Sequence, residues 1–175
     1  MAAALTKEQR IEFFKKVLAL MKLEPTYNRM LWLMAQSEVE NTAAKNNPLS
    51  TTWNMASVDK GQTNFNSIGV RNYSTPEIGA RATANTLLQK AYYPYMLQML
   101  QADTSPLSPT LNQATLQKEF TTYGGAAGYW ALLKARAAGS ALQAFVKKNY
   151  KAMGAAGLGL MAFFAFLLLR NLKVN

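Results

Sequence analysis

Apolar residues recur every three to four positions in six stretches of the chain, a spacing that predicts α-helices. The expected helices cover about residues 7–22, 26–39, 76–88, 93–101, 111–120 and 130–150. Thr6 and Gln9 fit a capping box at the start of the first helix, and Pro25 is expected to close it. The pattern therefore predicts a mainly α domain.

Residues 41–75 break the helical pattern, because Asn, Thr, Ser and Gly dominate this segment. Short aromatic or β-branched pieces lie within it, and Ser67–Val70 is one of them. We expect a polar loop with a small irregular hairpin, inserted into the helical domain. Gly124, Gly125 and Gly128 predict a hinge or tight turn before the last helix.

The C-terminal region has a different pattern, because Ala152–Leu169 is a run of 18 residues without a charge. As a helix it would be about 27 Å long, close to a hydrocarbon core of about 30 Å. A buried core helix is the alternative, but such a helix normally keeps a polar stripe. We expect a domain over residues 1–130, a basic amphipathic helix over 131–151 and a membrane helix over 152–170. Ala155 and Gly159 form a small-residue pair that favours self-association of this helix.

Composition limits the chemistry available to the protein, since the 175 residues include no Cys and no His. Disulfide frameworks, thiolate metal sites and histidine-based catalysis are therefore excluded. We expect no cofactor and no metal. Acid–base chemistry falls to tyrosines, lysines and nine carboxylates, which are Glu8, Glu12, Glu24, Glu38, Glu40, Asp59, Glu77, Asp103 and Glu119.

The net charge of +10 predicts a polyanionic partner such as nucleic acid, an acidic membrane surface or a cell-wall polymer. From Lys134 onwards the chain has seven basic residues and no acidic residue. The N-terminus lacks the charged start and apolar run of a secretory signal, so we expect no export by that route. Charge alone does not choose among these partners.

A glutamate at the end of the second predicted helix opens onto the polar loop, which is an arrangement suited to glycan cleavage. Partial burial raises the pKa of a carboxyl, so that it can donate a proton to a glycosidic oxygen. Glu38 and Glu40 are both candidates by position. Amide and hydroxyl groups of the loop would then hold the sugar.

A series of short motifs begins at Glu40. They are Glu40-Asn41-Thr42, Asn47-Pro48-Leu49-Ser50-Thr51-Thr52, Phe65-Asn66-Ser67-Ile68-Gly69-Val70-Arg71-Asn72-Tyr73, and then Gly79 and Thr83. This series resembles the lysozyme-like, lytic-transglycosylase-like domains of bacteriophages and actinobacteria, over roughly residues 8–135. The family usually has Gly where this chain has Asn41. The resemblance implies an α+β lysozyme-like fold and assigns the catalytic acid to Glu40.

The same resemblance and the residue types suggest the rest of the site. Asn64 and Asn66 are candidate sugar-binding amides, and Phe65 and Tyr73 are candidate stacking rings, with Trp53 a weaker one. Asn residues in loops commonly cap or turn the backbone, and small domains commonly bury their aromatic rings. Asp59 is the remaining carboxylate in the loop, and its neighbours favour a solvated turn. A single carboxylate suits a lytic transglycosylase, in which the sugar's own 6-hydroxyl attacks, better than a two-carboxylate hydrolase.

These features lead to three hypotheses. The first is a virion-associated, membrane-anchored phage enzyme that cuts peptidoglycan between N-acetylmuramic acid and N-acetylglucosamine during genome entry, as a lytic transglycosylase or muramidase. The second is an inactive lysozyme-fold ejection protein that forms part of a membrane conduit. The third is a soluble DNA-binding helical protein, which leaves the motifs unexplained. The expected partners are peptidoglycan, a lipid membrane, other virion proteins and further copies of the chain, with nucleic acid bound only through charge. The expected location is the virion and a viral inner membrane or host envelope.

Overall fold

A computed structural model describes residues 5–124 and 128–149. Within these ranges the helices are α1 (Lys7–Leu20), α2 (Tyr27–Glu40), α3 (Pro76–Leu87), α4 (Pro94–Gln101), α5 (Gln113–Gly124) and α6 (Tyr129–Asn149). The strands β1 (Thr63–Asn64) and β2 (Arg71–Asn72) form an antiparallel pair with Thr63 opposite Asn72. The mainly α fold and the hairpin in the polar segment are therefore confirmed.

Side-chain caps fix the starts of the first three helices. Thr6 accepts from the backbone N–H of Gln9, whose side chain accepts from the N–H of Thr6, so the predicted capping box is present. Thr26 and Thr75 cap α2 and α3 in the same way, each accepting a backbone N–H three residues on.

Two helix ends differ from the prediction. The first helix stops at Leu20 because Lys22 is left-handed, with φ of 58°, before the chain reaches Pro25. The fifth helix continues to Gly124, so this glycine ends a helix rather than standing in the predicted turn. A Cβ on Gly124 would lie 2.0 Å from the ring of Tyr129, which explains why the helix closes with glycine.

The main core takes buried side chains from all six helices, and its stacked aromatic rings lie between α2, α5 and α6. Trp32 from α2 stacks on Phe120 and Trp130, with ring centroids 5.8 and 5.5 Å apart, and these three rings are at most 3% exposed. Leu133 and Ala137 of α6 are fully buried in the same core. The first half of α6 therefore belongs to the globular domain as well as carrying basic residues.

The α2 and α6 helices run antiparallel. Tyr129 at the start of α6 contacts Glu40 at the end of α2, whereas Ala144 lies across a groove from Tyr27 at the start of α2. The other pairs in contact include α1 with α3 and α4 with α5. The packing of α2 on α6 places Glu40 beside the start of α6.

Among the described residues, no helix is long and apolar enough to cross a bilayer. The membrane helix predicted over residues 152–170 lies outside those residues.

Candidate active site

Glu40 is the last residue of α2, and the chain turns sharply immediately after it. Asn41 caps the helix in the left-handed conformation, with φ of 41° and ψ of 40°. Gly and Asn are the residues that tolerate this conformation best. Asn41 therefore ends α2 in a backbone conformation that Gly would also adopt readily.

Two hydroxyl groups reach the Glu40 carboxyl. The Tyr129 hydroxyl donates a hydrogen bond to Oε1 at 2.6 Å, and the Ser50 side chain provides a second one. Burial raises the pKa of Glu40 above its ordinary value, and the two hydrogen bonds lower it only in part. Glu40 is thus a partly buried carboxyl that holds its proton to higher pH than a solvated glutamate.

The two tyrosines beside Glu40 are neutral donors. Tyr129 is 4% exposed, and its ring stacks on Phe120 with a centroid separation of 5.5 Å. Burial, followed by the nearby Glu40 charge, raises the pKa of Tyr129 far above its ordinary value. Tyr123 donates to the Leu49 carbonyl, and burial raises its pKa as well. Neither phenol is suited to act as a base, so proton transfer falls to Glu40.

The segment 46–51 links the end of α2 to the hairpin. The Asn47 side chain donates to the carbonyls of Thr51 and Arg71 at 2.8 and 2.7 Å and accepts from the Thr51 N–H. Its amide is completely buried. Asn46 donates to the Tyr73 carbonyl, which ties the same segment to the residue after β2. The Asn-Asn-Pro-Leu string is therefore a structural brace between the candidate acid and the loop.

Gly79 lets α3 approach this brace. A Cβ at this position would lie 1.9 Å from the Asn46 carbonyl oxygen, so every other residue would push the helix away. Thr86, on the same helix, hydrogen-bonds to Thr51. The α3 helix thus supports the brace from behind.

The predicted sugar-binding residues Asn64, Phe65 and Asn66 lie together on the hairpin. Asn66 accepts the Val70 N–H at 3.0 Å, so its amide turns the backbone. Asn64 accepts from the Arg71 guanidinium across the strand pair. Phe65 is 42% exposed and Ile68 is 79% exposed, so the hairpin presents apolar side chains to solvent.

A groove of about 590 Å³ lies beside the hairpin and is called the hairpin groove below. Its lining includes Ala43, Lys45, Thr63, Phe65 and Asn72. Ala43 follows Glu40 by three residues, so their Cα atoms are at most about 11 Å apart. A ligand in the hairpin groove therefore lies near the end of α2.

Tyr73 and Trp53 are positioned differently from the hairpin residues. Tyr73 has no exposed surface, and its hydroxyl donates to the Trp53 carbonyl at 2.7 Å. With Met55 and Ala82 it forms a second, smaller core beneath the loop, against which Trp53 packs. Tyr73 therefore supports the wall of the groove, and its ring has no face free to stack on a sugar.

Asp59 holds the loop together. Its carboxylate is 2% exposed and accepts the backbone N–H groups of Ser74 and Gly61 at 3.0 and 3.1 Å. Burial acts to raise the pKa of Asp59, but hydrogen bonds from Ser74 and Gly61 outweigh it and hold the pKa below its ordinary value. Asp59 precedes the predicted turn, but the expectation that its carboxylate is solvated is wrong, since the residue is 2% exposed.

Glu38 and Glu40 face different parts of the molecule. Two residues of helix turn the side-chain direction by about 200°, which leaves the two carboxyls on nearly opposite faces. Glu38 lines a pocket with Arg10 and Arg136, whereas Glu40 faces Tyr129 and Ser50. Only Glu40 is joined through Ser50 to the brace and the hairpin.

Sequence reasoning missed the roles of Ser50 and Tyr129. Tyr129 lies 89 positions from Glu40, and nothing in the local pattern predicts that its hydroxyl reaches that carboxyl. Ser50 stands within the recognised motif, where only its left-handed backbone, with φ of 52°, distinguishes it. In the described part of the chain, no group of three or more carboxylates is gathered where it could hold a metal ion.

Comparison of the chain with protein-family models, curated proteins and solved structures finds no significant match. The likeness to lysozyme-like domains therefore rests on the motif residues quoted above.

Proposed function

We propose that the protein is a peptidoglycan-cleaving enzyme of the lytic transglycosylase type, with Glu40 as its acid and base. The observation that carries the proposal is the half-buried Glu40, whose pKa is raised by burial while a tyrosine hydroxyl orients it at 2.6 Å. Such a carboxyl keeps its proton to higher pH than a solvated glutamate, which favours proton donation to a glycosidic oxygen.

The reaction needs a single carboxylate. Glu40 donates its proton to the glycosidic oxygen as the bond to the anomeric carbon of N-acetylmuramic acid breaks. The 6-hydroxyl of the same sugar then attacks that carbon and gives its proton to Glu40, which yields a 1,6-anhydro end and regenerates the acid. Asp59 is occupied by two backbone N–H groups, which supports this mechanism over a two-carboxylate hydrolysis.

The hairpin groove is the proposed binding site for the glycan strand. The exposed Phe65 ring offers an apolar face to a sugar, and Lys45 and Asn72 add polar groups to the same lining. In this proposal the protein acts from a phage particle, and the apolar segment 152–169 anchors it to a membrane. The lysozyme-like architecture is part of the same proposal.

A second candidate is an inactive lysozyme-fold ejection protein in a membrane conduit. One observation favours it: Asn47, Thr51 and Tyr73 of the motifs all hold the loop in place, and a scaffold without activity would need them equally. The two functions differ in whether the glycan is cut.

Digestion of purified peptidoglycan in ¹⁸O-labelled water distinguishes these candidates. The proposal predicts soluble fragments that end in 1,6-anhydro-muramyl groups without ¹⁸O. Reducing ends carrying ¹⁸O would contradict the transglycosylase mechanism and support hydrolysis. No fragments from a folded, membrane-bound protein would favour the ejection role.

A further inference from the structure

A second pocket, of about 410 Å³, lies beside the last turn of α2, on a different face from the Glu40 carboxyl. Its lining consists of Arg10, Glu38, Val39, Asn41, Leu132 and Arg136. These residues come from α1, the end of α2 and α6, which places three helices around one opening. We call it the arginine pocket, and none of the roles assigned above uses it.

The charged groups of the arginine pocket are not paired with one another. Within residues 5–124 and 128–149, no ion pair joins Arg10 or Arg136 to Glu38. The Arg10 Nε is buried and has no hydrogen-bond partner there. A buried guanidinium nitrogen without a partner is costly, so an external acceptor would relieve it.

The signs of these charges define the ligand. Two guanidinium groups favour a carboxylate or phosphate, and guanidinium matches a planar carboxylate in two hydrogen bonds. Glu38 would repel a ligand that carries only negative charge, but it would attract an ammonium group. The pocket thus suits a small molecule that carries both a carboxylate and a free amine.

We propose that the arginine pocket binds the peptide branch of peptidoglycan through a free carboxylate and a free side-chain amine. This inference rests on the proposed function, because it assumes that the glycan strand lies at Glu40. Val39 and Asn41 line the pocket and flank Glu40 in sequence, so the pocket and the catalytic acid share one helix end. A peptide branch that extends from a strand at Glu40 around this helix end would enter the pocket, which would then select glycans that still carry their peptides.

Titration of the full chain in detergent with a synthetic stem peptide tests the inference. The peptide carries a free carboxylate and a diamino acid with a free amine, and a second peptide has that amine acetylated. Loss of one charge-assisted hydrogen bond weakens binding by about tenfold or more, so Arg136→Gln should bind the first peptide at least that much less tightly. Arg81→Gln is the matched control, because Arg81 is exposed on α3 and does not line the pocket.

The acetylated peptide isolates the part played by Glu38. The wild-type protein should bind it about tenfold less tightly than the free amine, whereas Glu38→Gln should bind both peptides alike. Equal binding of the two peptides by the wild-type protein would overturn the inference. Equal weakening by Arg136→Gln and Arg81→Gln would also overturn it, as would tighter binding of a phosphate-rich wall polymer than of the peptide.

A separate measurement of cleavage distinguishes a failure of the pocket inference from a failure of the proposed function. If the protein cuts glycan strands with and without peptides equally and does not bind the stem peptide, the inference fails and the proposed function stands. If the peptide binds with the predicted charge dependence and no strand is cut, the pocket is supported and the proposed function fails.

Discussion

Two carboxylates, the half-buried Glu40 at the end of α2 and the buried Asp59 in the loop, have opposite electrostatic environments. Asp59 accepts two backbone N–H groups, and these donors hold its pKa below the ordinary value despite burial. Glu40 meets two hydroxyl groups, and burial outweighs them and raises its pKa. The balance between burial and hydrogen-bond donors therefore decides whether the pKa of each carboxyl rises or falls.

The largest expected effect separates the chemistry of the two groups. Glu40→Gln should lower the rate of peptidoglycan cleavage by about a hundredfold to ten-thousandfold, because it removes the proton that the leaving oxygen needs. Glu38→Gln is the matched control on the same helix and should keep wild-type cleavage of glycan strands that carry no peptides. If Glu38→Gln loses cleavage and Glu40→Gln retains it, then Glu38 is the acid and the assignment to Glu40 is wrong.

The next effect concerns stability. Asp59→Asn should lower the free energy of unfolding by about 1–3 kcal/mol at pH 7, because the amide replaces one acceptor with a donor that faces a backbone N–H. Chemical denaturation measures this loss, and Glu12→Gln on the exposed face of α1 should change stability little. An Asp59→Asn protein as stable as the wild type would show that the loop does not depend on this carboxylate.

A smaller effect is expected at the tyrosine that contacts Glu40. Tyr129→Phe removes a hydrogen bond that lowers the pKa of Glu40, so this pKa should rise further. The alkaline limb of the pH–rate profile should move to higher pH, with a loss in maximal rate of about tenfold. Tyr123→Phe serves as the control, because its hydroxyl donates to the Leu49 carbonyl, and its pH profile should match the wild type.

The smallest effect is the pH dependence of stability, in which the two carboxyls act oppositely. The pKa of Asp59 is lowered in the folded state, so its contribution is present above the unfolded pKa and lost as pH falls through the folded pKa. The pKa of Glu40 is raised, so its contribution is present below the unfolded pKa and lost as pH rises through the folded pKa.

Thermal unfolding from pH 3 to pH 7 measures both contributions. Asp59→Asn should lose less stability on acidification than the wild type, and Glu40→Gln should lose more. Parallel curves for the two variants would contradict the difference between the two environments.

Most of the helical framework could be predicted from the sequence, because capping residues and apolar periodicity are local signals. The Thr6 cap predicted the start of α1, and Pro76 predicted the start of α3. The observed helices begin at Lys7 and Pro76. The end of α1 was misplaced because the left-handed conformation of Lys22 has no strong sequence signal. The hairpin was expected only approximately, since its strands are two residues each.

Less of the candidate site could be predicted from the sequence, because its contacts join segments that are distant along the chain. The position of Glu40 at a helix end was predictable, but its hydrogen bond to Tyr129 depends on the antiparallel packing of α2 and α6. Tyr73 was expected to face a sugar, but it is buried, and its hydroxyl donates a hydrogen bond to the Trp53 carbonyl. Asp59 was expected in solvent because the two N–H groups that surround it come from a turn and from a residue 15 positions away.

Burial raises the pKa of the Glu40 carboxyl, which favours catalysis, whereas hydrogen bonds lower the pKa of Asp59, which favours a structural role. Carboxyl ¹³C chemical shifts followed by NMR against pH test this contrast most directly, with Glu40→Gln and Asp59→Asn used to assign the two signals. We expect Glu40 to titrate above the ordinary value for glutamate and Asp59 below that for aspartate. A Glu40 carboxyl that titrates at or below its ordinary value would rule out the role of burial proposed for it.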